Sequence, residues 1–244
     1  MRSVQAHYAQ HLAAVYAWMA GGVPAAIERG RTELTSLGLT SIKAGFAIDL
    51  GAGFGMHSIA LARSGWTVLA VDTSAELLAE LARQAVGLPI QTAQADIVGF
   101  TSRLERRADV VLCMGDTLTH LPSRDAVESL LAEVALALQL AGRFVLTFRD
   151  YSGALTDDQR FIAVRSDADR ILTCFLEYGA ELVTVHDLLH ERDGGQWTLK
   201  VSSYPKLRLA PDWVVGKLAS CGLQVTRLPG PGGMVCLVAA RATI

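Results

Sequence analysis

The sequence predicts an α/β fold: a doubly wound parallel sheet with helices on both faces, preceded by a helical arm and interrupted late by an antiparallel insertion. Three observations carry this. From residue 44 onward, strand-like and helix-like segments alternate, the pattern of strands joined by crossover helices. One of those strands, "ADVVLC", is apolar at nearly every position, as a strand covered on both faces must be. Between 160 and 209 the rhythm changes, and four strand-like runs follow one another with no helical period between them. With 244 residues, 51% of them hydrophobic, the chain can bury a sizeable core. Its length suits one domain, 1–244, with the arm over 1–40 and the insertion over 155–209.

Taken in order, "HYAQHLAAVYAWM" places Tyr8, Leu12, Val15, Tyr16 and Met19 on one face of an amphipathic helix. "AGFAIDL" (44–50) is the first strand, "HSIALARSG" a short helix closed by Gly65, and "WTVLAVD" (66–72) a β-branched second strand. "TSAELLAELARQAVG" reads as a helix with a capping box, Thr73 with Glu76, and an inner face of Leu77, Leu78, Leu81 and Ala85. "LPIQTAQAD" is the third strand, ending near Asp96, and "ADVVLCMGD" (108–116) the fourth. "DAVESLLAEVALALQLAG" predicts a long helix that turns Val127, Leu130, Leu131, Val134 and Leu138 inward, and "RFVLTFRD" (143–150) is the fifth strand. In the insertion, "RDGGQW" marks a hairpin turn. "APDWVVGKLASCG" is a helix with Pro211 in its first turn, and two last strands lie around "LQVTRL" and "GMVCLVAA".

Charge narrows the partners. The 22 Lys and Arg nearly balance 24 Asp and Glu, with no basic tract, so nucleic acid and membrane surfaces are not expected. No run reaches the ~20 uncharged apolar residues of a membrane span. The N-terminal apolar stretch is broken by His7, Gln10 and His11, which suits an amphipathic helix better than a cleaved signal. Four scattered cysteines without a CxxC pair read as packed thiols and point to the cytoplasm. Two histidine pairs, His7/His11 and His186/His190, lack the glutamate of HExxH, so no metal site is expected.

The chemistry concentrates in "AIDLGAGFGMH". Gly51, Gly53 and Gly55 alternate, and a dinucleotide turn would need its third glycine where Met56 stands. A phosphate-binding loop is excluded too, because no GK[ST] follows. Asp49, two residues ahead, would repel a pyrophosphate but suits a ligand that carries positive charge. S-adenosylmethionine has a sulfonium, an ammonium and no phosphate. Asp72 ends the second strand 21 residues after Gly51, where a carboxylate can take both ribose hydroxyls. Asp96, after the third strand, can reach an adenine amine, with Ile97 beside it to pack on the ring.

"DLGAGFG", "AVD", "QAD" and "DVVLCMGDTLTHL" resemble the successive motifs of the class I S-adenosylmethionine-dependent methyltransferases, over residues 44–150. The resemblance implies a Rossmann-like seven-stranded sheet of order 3-2-1-4-5-7-6 with the last strand antiparallel. It also implies a cofactor set: Asp49 and the three glycines at the methionine moiety, Asp72 and Thr73 at the ribose, Asp96 and Ile97 at adenine, the backbone of Met114 near the sulfonium, and Tyr16 from the arm. "MGDTLTHL" resembles the small-molecule branch related to glycine N-methyltransferase, although that branch often has Asn where this chain has Asp116.

Methyl transfer is an in-line displacement from a sulfonium, so alignment in a dry site is the main demand on the protein. Tyr8, Tyr16 and Trp18 can steady the cation. If the acceptor must lose a proton, Asp116 or His120 can take it. The acceptor pocket is expected beyond strands four and five, with Arg149, Asp150 and Tyr151 in its wall and the arm and insertion as its roof. The expected partner is a small organic molecule methylated on nitrogen or oxygen, and the alternative is a regulatory protein that binds the cofactor without catalysis. The insertion fits either a substrate lid or a homodimer interface.

Overall fold

Apolar residues alternate with a two-residue period along the first strand, and each set finds its own layer. The computed structural model of the chain describes residues 13–40 and 45–241; Tyr8 and the His7/His11 pair lie outside them. In β1 (Phe46–Leu50), Ile48 and Leu50 face one helical layer and Ala47 faces the other. That second layer holds α2 (Val23–Ser36) and α3 (Met56–Arg63), where Leu34 and Leu61 are fully buried, and α1 (Ala13–Met19) precedes it. The remaining main-sheet elements are β2 (Thr67–Asp72), α4 (Ala75–Gln84), β3 (Ile90–Gln94), β4 (Ala108–Cys113), α5 (Arg124–Ala137) and β5 (Leu138–Phe148).

The antiparallel run follows as β6 (Phe161–Ser166), β7 (Arg170–Tyr178), β8 (Leu182–Asp193) and β9 (Gln196–Leu207). Then come α6 (Pro211–Ser220), β10 (Leu223–Pro229) and β11 (Val235–Arg241). The main sheet has the order β10-β11-β5-β4-β1-β2-β3, which is the 3-2-1-4-5-7-6 arrangement the motifs imply. β11 runs antiparallel to both β5 and β10, while the other pairs are parallel. α5 and α6 bury Val127, Leu130, Leu131, Val134, Val214 and Leu218 on the face opposite α2 and α3.

Two local expectations need correction. The cap of α4 is Ser74, whose hydroxyl accepts from the Leu77 N–H, and not Thr73; one residue earlier, the chain is still leaving β2. The long helix stops at Ala137, and Leu138 already belongs to β5, paired with Ala108. The helical period continues into "LQLAG", but Ala141 takes a positive φ of 62° and Leu140 is left 72% exposed. Pairing with β4 therefore prevails over the helical pattern.

The second sheet, β6-β7-β8-β9, is antiparallel throughout. Gly194 and Gly195, both at positive φ, close the hairpin between Asp193 and Gln196. Its inner face buries Val183, Val185 and Asp187 of β8 opposite Ser202, Tyr204 and Lys206 of β9. Tyr151, just after β5, packs into this face with Leu176 and Val185. The arm joins it as well: Val15 packs on Leu172 and Leu189, and the Trp18 indole N–H donates to Asp167 at 2.5 Å under the Arg170 guanidinium.

Candidate functional site

The glycine turn links β1 to α3, and two of its glycines serve different ends. A Cβ on Gly51 (φ 77°) would fall 2.4 Å from the Thr117 methyl, so this glycine lets the loop after β4 close on the turn. A Cβ on Gly53 (φ 54°) would meet nothing nearer than Tyr16 at 3.9 Å, so it would stand in an open cleft. Gly51→Ala is therefore expected to cost roughly 2 kcal/mol or more, from positive φ and overpacking together. Gly53→Ala should cost only about 1 kcal/mol while weakening any ligand resting on the turn. Urea unfolding of both variants separates the two; equal losses would refute the distinction.

Asp72, at the end of β2, accepts the Gly53 N–H on Oδ2 and the Ser74 N–H on Oδ1, each at 2.8 Å. Burial pushes its carboxyl above the ordinary range, against these N–H donors. The same carboxylate that faces the cleft thus holds the turn and the start of α4. Thr73, Asp96, Ile97 and Met114 line the cleft with it, as do Gly51, Gly53 and Tyr16. Asp96 is exposed and accepts the Val98 N–H at 2.9 Å, while Ile97 is buried beside it. The Met114 carbonyl accepts from the Thr117 hydroxyl at 2.9 Å. Among the described lining residues the formal charges are two carboxylates, Asp72 and Asp96, with no lysine or arginine.

Asp49 and Gly55 sit elsewhere. Asp49 is 2% exposed, lies behind the turn and accepts the Ser58 hydroxyl at 2.6 Å; burial raises its carboxyl above the ordinary range. Gly55 backs onto Leu81. Neither is among the residues that wall the cleft.

A second cavity adjoins the first, and Tyr16, Gly115 and His120 wall both. Its floor is Asp116, held at positive φ (74°) and 4% exposed. Oδ1 accepts the Arg149 N–H and the Thr119 hydroxyl, both at 2.9 Å. Oδ2 takes the Lys206 ammonium at 2.5 Å and the Tyr151 hydroxyl at 3.3 Å. Burial alone would lift the Asp116 carboxyl, but Lys206, His120 and these donors hold it below its usual value. Burial likewise disfavours the Lys206 ammonium, and the Asp116 charge overrides it, raising Lys206 above the ordinary lysine value. The Tyr151 phenol is pushed up to about 12, mainly by burial.

His120 stacks on Tyr204, with ring centroids 5.6 Å apart and planes within 10°. Arg149, Asp150 and Tyr151 line this second cavity as expected from the end of strand five. Trp18 does not wall either cavity; it ties the arm to Asp167, Arg165 and Arg170 of the second sheet. His186 is engaged with Glu177 at 3.0 Å and Ser203 at 2.8 Å, and the described residues contain no group of three or more metal-ligating side chains.

The sequence reading missed Lys206, Tyr204, Tyr178, Asp187 and Cys174, all on the inner face of the second sheet. Cys174 donates its thiol to Asp187 at 2.9 Å, and burial raises that thiol. The available signal was alternation in "VSSYPKL", which puts Ser202, Tyr204 and Lys206 on one side.

Residues 47–142 match a family model described as a methyltransferase domain. A glycine/sarcosine N-methyltransferase of Halorhodospira halochloris is 33% identical over 125 residues, 50% of this chain and 45% of that protein. One from Aphanothece halophytica is 33% identical over 106 residues, 43% of this chain and 40% of that protein. The match spans less than half the length of these curated relatives. Among solved structures, Streptomyces venezuelae DesVI superposes with a TM-score of 0.79 at 18% identity, over 94% of this chain and 98% of that one. A S-adenosylmethionine-dependent methyltransferase from Clostridium acetobutylicum does so at 0.75 and 16% identity, over 89% and 92%. At such identities the likeness is one of fold.

Proposed function

We propose that the chain, whose residues 47–142 match the methyltransferase-domain family model, transfers a methyl group from S-adenosylmethionine to a nitrogen or oxygen of a small organic molecule. The observation that carries the reading is the charge of the first cleft. Its described charged lining is two carboxylates, which suits a cationic, phosphate-free ligand and opposes a dinucleotide. The open cradle over Gly53 fits as well. In this reading Gly51, Gly53, Met114 and Tyr16 hold the methionine end, Asp72 and Thr73 the ribose, and Asp96 and Ile97 the adenine. Asp49 and Gly55 support that set from behind, by fixing the turn.

When bound, the cofactor supplies an electrophilic methyl on a sulfonium. The chain's task is then to hold an acceptor lone pair in line with that methyl, keep water out, and receive a proton. An acceptor N–H or O–H would have to give up its proton on methylation. His120 lines both cavities and in this reading takes it, while Asp116, paired with Lys206, serves as a fixed anion. Nitrogen as the acceptor atom draws support from the relatives named N-methyltransferases. The open cavity beside the cleft, with Asp116, His120 and Arg149 among its lining residues, favours an enzyme over a non-catalytic binder.

Four unpaired thiols favour a cytoplasmic setting. No helix among the described residues is long and apolar enough to cross a membrane. A homodimer draws support from the outer face of the second sheet, where Ile171, Leu199 and Val201 stand 40%, 51% and 54% exposed.

Titration calorimetry with S-adenosylmethionine and with NAD tests the cofactor reading. Binding of the first alone is expected; binding of NAD alone would overturn it. Incubation with methyl-labelled cofactor and a metabolite extract then follows the label to its acceptor.

A further inference from the structure

The second cavity is walled by polar and apolar side chains together. His120 is shared with the first cleft, and Asp116 and Lys206 line the cavity with it. Leu155, Ile162 and Val164 also line it, each 36% exposed, and Leu176 and Val185 are buried with Tyr151 and Tyr204 in the same wall. Apolar side chains left this open inside a concavity are the mark of a surface that a ligand covers.

Charge points the same way. The cavity's acids are Asp116, Asp150 and Asp187, and its bases are Arg149 and Lys206, an excess of one acid. Asp116 takes the Lys206 ammonium at 2.5 Å, so among the described lining bases Arg149 is left to meet an incoming carboxylate, beside Asp150 and Asp187. Four tyrosines, Tyr16, Tyr151, Tyr178 and Tyr204, add aromatic faces that attract a cation.

We propose that this cavity takes an amine carried on an extended apolar group, in preference to a small amino acid. The proposal rests on reading the cavity as the acceptor site, and it names the class of acceptor that site admits. The amine lies toward His120 and the cleft, and the apolar body lies along Leu155, Ile162, Val164 and Leu176. This differs from the substrate class in the names of the glycine/sarcosine N-methyltransferases, and the wall formed by Leu155, Ile162 and Val164 lies beyond the family-model match, which ends at residue 142.

The test is calorimetric binding of 2-phenylethylamine, phenylacetate, glycine and sarcosine to the full chain, with and without S-adenosylhomocysteine. 2-Phenylethylamine is expected to bind at least about tenfold more tightly than glycine or sarcosine, the scale that a few methylene contacts supply, and more tightly than phenylacetate. Ile162→Ser/Val164→Ser, on an exposed edge strand where folding is not at stake, should weaken 2-phenylethylamine about tenfold and leave glycine unchanged. Phe161→Ser, on the opposite face of the same strand, should change neither. Tighter binding of glycine or sarcosine, equal binding of phenylacetate, or no binding of any probe would overturn the proposal. Failure of S-adenosylhomocysteine to bind would instead overturn the cofactor reading, while the arm without it still reports on the cavity.

Discussion

Lys206→Met is expected to destabilise the fold by about 3–5 kcal/mol, the cost of leaving one member of a buried ion pair unpaired. Lys206 and Asp116 are both under a tenth exposed and meet at 2.5 Å. Without the ammonium, Asp116 keeps the Arg149 N–H, the Thr119 hydroxyl and the Tyr151 hydroxyl, but its charge has lost its main counterion. The double variant Asp116→Asn/Lys206→Met removes both charges and should recover most of the loss, because the neutral amide oxygen still accepts from Arg149 and Thr119. Urea midpoints read this directly. A single variant within about 1 kcal/mol of wild type would show that the pair contributes no more than a surface contact.

The pH dependence has a definite sign. A carboxyl held below its unfolded value, about 3.9, stabilises the fold above that pH and loses the contribution as pH falls through the depressed value. Lys206 is raised, so its contribution is complete below the unfolded value of about 10.4 and fades as pH climbs through the higher folded value. Wild-type stability should therefore be flat through neutrality as far as this pair is concerned. In Lys206→Met, burial lifts the Asp116 carboxyl instead, and the variant gains stability as pH falls toward about 5. The same slope in both proteins would contradict this account of the pair.

Asp72→Ala should weaken binding of S-adenosylhomocysteine about 100-fold or more. Two hydrogen bonds to a charged group are at stake, at about 1.5–3 kcal/mol each. The carboxylate also holds the Gly53 and Ser74 N–H groups at 2.8 Å, so the alanine variant loosens the turn as well. Asp72→Asn keeps an acceptor for one of those donors and separates the effects: a large affinity loss with a small shift in unfolding midpoint points to the ligand contact. Unchanged calorimetry in Asp72→Ala would remove Asp72 from the cofactor site.

Most of the main sheet was legible because its signals are local. The alternation of "FAIDL", the three glycines and the acids at strand ends each speak within about ten residues. The first cleft was legible for the same reason, since Gly51, Gly53, Asp72, Asp96 and Ile97 all sit at or just beyond the ends of parallel strands. The second cavity was legible only in part. Lys206 meets Asp116 across 90 residues of sequence, through an antiparallel sheet whose register no local pattern fixes. A lysine in an alternating strand ordinarily marks the solvent face, so its burial followed only from knowing its partner. Asp49 shows the converse: its spacing places it at the ligand, while the fold turns its side chain back onto Ser58. Trp18 misled for a related reason, because an aromatic on an arm predicts contact without saying with what.

The shared wall of Tyr16, Gly115 and His120 also has a thermodynamic meaning. Two ligands that press on the same side chains cannot be counted as independent. Any factor by which the first occupant changes affinity for the second must be returned in full in the other direction. A cofactor that orders the Tyr16 ring would thus prepare the acceptor site, and the spent thioether would be held more firmly while an acceptor analogue stayed in place. Departure of the two products then becomes a single coupled equilibrium, and the ring of Tyr16 is its natural reporter.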